Sequence, residues 1–375
     1  VLGDPRVRPL RPAAACRAGA GDLVRALLIA AVAAATIVGC GGADTTRLGP
    51  AAPPAAQAAS PTATQPINLD DMMGLYSQQT VFVASTGQLS AVTLLNHFIR
   101  YRIPTRDGVQ VATDSPGEWL YVLDASPELG VRIRTFDVAT GTERASRTDR
   151  LAVASERSFA TALDGRPLVL RNDATHAWVD AYEYLTLRPQ GAVMEKAGCG
   201  DRLLASGSRV AIVCLSTGEI AVDNLRGTKA VIEAPMPKLA GAAMAGDGTI
   251  YVVTADQHLA AVAPNSTRLS PLPWPNEWSG TVVPDGIAVA AGAETAAIAE
   301  RTDDGAWLRV FATNNIAQRL SMRLAGVPQG GIVALYPFAY YGFGTSVRHV
   351  DLASGLLETM ADVGANARPL GVVNR

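Results

Sequence analysis

From Tyr76 onward, apolar runs of four to eight residues, rich in Val, Ile, Thr and Ala, alternate with Gly, Asp, Asn, Ser and Pro, and no long stretch holds a helical period. Runs of that length suit strands and are too short for independent helices. Residues 81–85, 119–125, 131–138, 210–215, 249–255, 286–291, 308–313 and 347–352 are examples. Their turns recur with a period. Ser115-Pro116-Gly117, Asp164-Gly165, Ser206-Gly207-Ser208, Gly246-Asp247-Gly248 and Asp285-Gly286 step along at about 38 to 50 residues. A second turn type closes hairpins at Asp137-Val138-Ala139-Thr140-Gly141, Leu215-Ser216-Thr217-Gly218 and Asp351-Leu352-Ala353-Ser354-Gly355. Two hairpins per period give four strands per period, so the chain is expected to be all-β.

Residues 76–375 have room for about seven such units, cut near 108, 150, 195, 235, 275 and 325. Closing them into a ring removes the sheet edges that an open array exposes. The pattern resembles the YVTN/YncE-like and WD40-like β-propeller superfamily over about four-fifths of the chain, although the Gly-His and Trp-Asp signatures of WD40 repeats and the YVTN tetrapeptide are absent. The resemblance implies a β-propeller of seven four-stranded blades, with the second turn type closing the outer strands. Two β-sandwiches or an eight-bladed ring satisfy the same strand count.

The amino end carries an address. Arg25 precedes an apolar stretch, 26–38, that has the length of a signal-peptide core and is too short to span a bilayer comfortably. It ends Ile37-Val38-Gly39-Cys40, which resembles the lipobox of bacterial lipoproteins. That resemblance implies cleavage before Cys40 and lipidation of Cys40, with 1–39 as signal peptide. The Arg- and Pro-containing leader 1–22 departs from the pattern, and Leu23 or Val24 is a more ordinary start, which places Cys16 outside the protein. From Gly41 to Asn68 the composition shifts to Ala, Pro, Thr, Gln and Gly and cannot repay its ordering entropy, so 40–75 is expected to be a flexible tether to a membrane anchor.

Residues 1–39 hold five arginines and two aspartates, leaving 27 basic against 32 acidic side chains from Cys40 on, a net charge near −5. With no Lys/Arg run there to neutralise phosphates, nucleic acid is set aside as a partner. His97, His176, His258 and His349 fall in different units without metal-ligand spacing, and neither a G-x-S-x-G elbow nor a phosphate loop occurs. Catalytic residues are therefore not assigned, and no metal or cofactor is expected. Asp303-Asp304 beside Gly305 reads as a solvated turn. Cys199 and Cys214 flank the 206–208 turn, so adjacent antiparallel strands can bring them together as a disulfide in an oxidising compartment.

Two aromatic groups stand out. Trp274 and Trp278 lie in a Pro-rich connection, and Tyr336, Phe338, Tyr340, Tyr341 and Phe343 fall within eight positions. On a loop-bearing face they offer contact with a protein or cell-wall glycan; between blades they serve as packing. The expected function is that of an extracytoplasmic, lipid-anchored binding module without catalysis. The alternative is an exported propeller hydrolase, lactonase-like or glycan-cleaving, with carboxylates around the central channel.

Overall fold

In the computed structural model, the described residues are 79–106, 108–126, 130–149, 157–224, 229–232, 238–274, 279–290, 294–315 and 317–374. The lipobox with Cys40, the tether and Trp278 lie outside them.

The described strands form seven four-stranded antiparallel sheets. Blade 1 contains β1 (Gln79–Ser85), β2 (Gln88–Thr93) and β3 (Ile99–Pro104). Blade 2 is β4 (Gln110–Thr113), β5 (Trp119–Ser126), β6 (Gly130–Asp137) and β7 (Glu143–Asp149). Blade 3 is β8 (Phe159–Thr161), β9 (Pro167–Asn172), β10 (His176–Tyr182) and β11 (Pro189–Ala197). Blade 4 is β12 (Arg202–Ser206), β13 (Arg209–Val213), β14 (Ile220–Asp223) and β15 (Lys229–Ile232). Blade 5 is β16 (Leu239–Met244), β17 (Ile250–Thr254), β18 (Leu259–Val262) and β19 (Ser270–Leu272). Blade 6 is β20 (Thr281–Ala290), β21 (Thr295–Thr302), β22 (Gly305–Ala312) and β23 (Gln318–Arg323). Blade 7 is β24 (Gln329–Leu335), β25 (Phe338–Phe343), β26 (Ser346–Asp351) and β27 (Leu357–Asp362). The last strand, β28 (Arg368–Asn374), returns to blade 1 and pairs with β1, Thr80 opposite Val373 and Val81 opposite Val372.

Blades 2 to 7 each begin at their innermost strand, β28 is the innermost strand of blade 1, and β28, β4, β8, β12, β16, β20 and β24 contact one another in turn around the centre. The chain is thus a closed seven-bladed β-propeller, and the β28–β1 pairing fastens the ring.

Seven apolar clusters hold it, one at each blade interface. The period of two in a strand explains the division. In β5, Leu120 and Val122 face blade 1 while Tyr121 and Leu123 face blade 3. Both faces of the second strand are therefore dry, and β1, β13 and β17 are buried at every position. Each buried Val, Leu or Phe contributes roughly 1.5–3 kcal/mol relative to exposure.

The expected cuts fall between or beside the sheets; the cut at 195 is displaced into β11, which ends at Ala197. Two turn assignments are corrected. Residues 215–218 close the middle hairpin of blade 4, β13 to β14, and not an outer one. Asp285-Gly286 is no turn at all: it lies inside β20, whose register on β21 jumps from Val282↔Glu300 to Ile287↔Ile298. The surplus residues form a bulge, which re-aims a side chain where a turn would have ended the strand.

Candidate functional site

The bulge turns Asp285 into the propeller's channel. Its carboxylate accepts two hydrogen bonds from Arg202 of β12, Nε to Oδ1 and Nη2 to Oδ2, both at 2.9 Å. The guanidinium of Arg157, just ahead of β8, approaches Oδ2 at 3.6 Å and donates from Nη2 to the carbonyl of Gly330 at 3.0 Å. Four blades, 3, 4, 6 and 7, are tied together by this one cluster. Planar, two-point Arg–carboxylate pairing fixes direction as well as distance. Gly331 makes the approach possible: with φ +82°, a β-carbon there would sit 2.4 Å from the carbonyl oxygen of Asp285 and 2.7 Å from Arg157 Nη2.

Beside the cluster lies a cavity of about 180 Å³ with Val111, Phe159, Leu203, Leu204, Ala242 and Leu370 in its wall. Gln110 closes its side, accepting from the Ser158 amide at 2.6 Å and donating to Ser158 Oγ at 2.9 Å. This cavity shares Val109 and Arg368 with a larger one of about 530 Å³, which opens on the face carrying the blade-to-blade connections. Ser85, Thr86, Arg106, Gln329, Asn366 and Arg368 line that mouth, so its described wall combines two guanidiniums with amides and hydroxyls and carries no carboxylate. Three of its polar atoms, Ser85 Oγ, Arg106 Nη1 and Gln329 Oε1, are buried without a hydrogen-bond partner. Each such atom costs on the order of 1–3 kcal/mol while unsatisfied. The described wall offers guanidinium donors to anionic oxygens and amides to hydroxyls.

Elsewhere, buried Asp124 and Glu300 are committed to arginines within their blades, while Asp114 accepts from the Trp119 amide and the Tyr184 hydroxyl. Asp124 binds Arg132 at 2.8 Å and Arg134 at 2.9 Å, and Glu300 binds Arg309 at 3.0 Å. Burial pushes Glu300 up from the ordinary carboxylate range against the pull of Arg309. Asp304 lies in the β21–β22 turn, accepting from Thr302 Oγ1 and from Trp307 Nε1, and those bonds hold its carboxyl low.

The residues singled out in the sequence are dispersed. Phe338, Tyr340 and Tyr341 are 1%, 0% and 2% exposed. The first two pack against blade 1 and the third against blade 6, so they serve the seams and present no surface to a glycan. Tyr336 is exposed at the β24–β25 turn, on the face opposite the mouth. Phe343 is partly exposed at the end of β25, with the Arg348 guanidinium 5.5 Å over its ring. Trp274 is partly buried between blades 5 and 6. Cys199 and Cys214 form a disulfide, Cα–Cα 5.6 Å, that joins the connection into blade 4 to the β13–β14 turn. The mouth residues went unnoticed in the sequence: Arg106 follows Pro104-Thr105 and precedes Asp107-Gly108, a string that reads as an ordinary solvated loop.

Fold and site together define a seven-bladed propeller with a bridged channel and a cationic mouth. No protein-family model matches the chain, and no curated protein matches it in sequence. Among solved structures it is similar to the periplasmic gluconolactonase PpgL of Pseudomonas aeruginosa, at 15% identity and TM-score 0.58, covering 79% of this chain and 98% of that one. It is also similar to the WD40 repeats of RRP9, at 13% identity and TM-score 0.54 over 77% and 90%, and to apo AztD of Citrobacter koseri, at 12% and 0.51 over 79% and 97%. At these identities the likeness is one of fold.

Proposed function

We propose that this protein is an extracytoplasmic propeller, anchored by lipid at Cys40 through the tether 40–75, that binds a carboxylate-bearing cell-wall glycan at its channel mouth without catalysing its breakdown. The observation that carries the reading is the mouth cavity of about 530 Å³, where Arg106 and Gln329 hold buried polar atoms that lack partners. The cationic wall favours an acidic group, and the amides and hydroxyls suit sugar hydroxyls. The disulfide and the Cys40 lipobox support an oxidising address, as does the likeness to a periplasmic enzyme. An envelope protein is the competing partner; the pocket-sized concavity of the mouth favours the glycan.

Calorimetric titration of the full chain with an acidic wall glycan and with its carboxyl-reduced form tests this. Binding of the acidic form alone, weakened at least tenfold in Arg106→Met, is the expected result. Equal binding of both forms, or none, overturns it. Release of the chain from membranes by Cys40→Ala tests the anchor separately.

A second reading, a lactonase-like or glycan-cleaving hydrolase, draws on the likeness to a gluconolactonase, since a sugar acid also fits a cationic mouth. Against it stands Asp285, whose carboxylate is engaged by two guanidiniums. Sugar-lactone turnover that disappears in Asp285→Asn would reinstate it.

A further inference from the structure

His97, His349 and Glu358 come from two blades and converge on one point. His97 sits in the β2–β3 turn of blade 1 at φ +53°. His349 in β26 and Glu358 in β27 are directly opposite one another in blade 7. Glu358 Oε2 lies 3.5 Å from His349 Nε2 and 3.9 Å from His97 Nε2, and one ligand atom of each residue lies within 4.8 Å of the others. Both separations exceed a good hydrogen bond, so the carboxylate is near both imidazoles and well bonded to neither.

The His349 ring is held rigidly. It is 2% exposed, meets Phe338 edge-on at 5.2 Å between centroids and His97 at 5.6 Å, and leaves Nδ1 without any partner. Its other nitrogen, Nε2, faces the Glu358 carboxylate and the second imidazole. It is a sensible ligand. Zinc binds histidine nitrogen at about 2.0–2.1 Å and carboxylate oxygen at about 2.0–2.2 Å, which puts ligands of a tetrahedral ion roughly 3.3 Å apart. Closing 3.5 and 3.9 Å to that value takes tenths of an ångström, and the adjustable partners are the ones with room, since the side chains of His97 and Glu358 are 34% and 44% exposed.

We propose that His97, His349 and Glu358 form a divalent-metal site, suited to Zn²⁺ with water as a fourth ligand, that staples blade 1 to blade 7. The location gives it a purpose. His97 belongs to the first described blade along the chain and the other two ligands to the last complete one, so the ion would cross-link the two ends of the ring beside the β28–β1 fastening. It has no role in the mouth, which lies at the channel.

The test is equilibrium dialysis of the full chain against Zn²⁺ with elemental analysis, alongside Co²⁺ absorption and thermal melting. One tight Zn²⁺ per chain, a tetrahedral Co²⁺ band and a melting temperature raised by several degrees are expected. His97→Ala and Glu358→Gln change half-exposed side chains, so they should melt like the parent without metal, lose the Co²⁺ band and bind Zn²⁺ at least tenfold more weakly. Failure of the parent to retain stoichiometric Zn²⁺ at micromolar concentration overturns the site. So does undiminished binding by both variants, which would move the metal to the His176–Glu195 or His258–Asp256 pair.

Discussion

The inner ring has two unlike halves. In blades 6, 7 and 1 the innermost strands are long: β20 has ten residues and β24 and β28 seven each. In blades 2, 3 and 4 they are short, four, three and five residues in β4, β8 and β12. The long half carries Gly286, Gly330, Gly331 and Gly371, which let backbones close up; Val111, Phe159, Leu203 and Leu204 of the short half line the smaller cavity. Asp285 reaches from one half to arginines of the other. The difference teaches that the long strands bulge and close up while the short ones leave the smaller cavity beside them, with one ion-pair cluster bridging the two.

Breaking the bridge should cost most. Asp285→Ala leaves the Arg202 guanidinium, 13% exposed, without its two-point partner, and removing one member of a largely buried pair destabilises by about 3–5 kcal/mol. Chemical denaturation of the variant is the measurement; a loss below about 1 kcal/mol would mean that water already screens the pair and that the halves are not bridged as described. Gly331→Ala comes next. It forces a β-carbon onto the Asp285 carbonyl in a left-handed conformation, for a loss of roughly 1–3 kcal/mol. The carbonyl survives in Asp285→Ala, so in a double-mutant cycle that part of the loss should persist, and only the part exerted through Arg157 Nη2 should fall short of additivity. Simple additivity would separate the glycine from the bridge.

How much of this the sequence displays depends on burial. The second strands were legible because both faces are dry and they read as unbroken apolar runs, as in 81–85 and 210–213. The outermost strands were not: β7, Glu143–Asp149, alternates only between exposed and half-buried positions and looks like loop. Innermost strands as short as β8, Phe159–Thr161, carry too few residues to show any period. Cys199 and Cys214 could be paired on paper because a single hairpin separates them. Asp285-Gly286 was misread because a bulge and a turn use the same residues, and only the pairing of Val282 and Ile287 with β21 tells them apart. Of the two readings of the aromatic run 336–343, packing between blades holds for Phe338, Tyr340 and Tyr341: alternation sends the first two to one neighbouring blade and the third to the other, so a dense cluster in sequence is two separate seams in space.

The smallest effect on stability is expected at the residue with the largest proposed effect on binding. Arg106 lines the mouth, in the connection from blade 1 to blade 2, and keeps Nη1 buried without a partner. Arg106→Met preserves much of the apolar stem while removing the unsatisfied group. The desolvation cost disappears with the charge, so folding stability should stay within about 0.5 kcal/mol of the parent or rise by up to about 1 kcal/mol. The same change should abolish most of the preference for an acidic ligand, since the guanidinium supplies the charge-assisted contact. Urea denaturation set beside the glycan titration reads both quantities from one variant. A destabilisation of 2 kcal/mol or more would show that Arg106 braces the mouth in the way Asp285 braces the channel, and the contrast between a structural bridge and a binding mouth would fail.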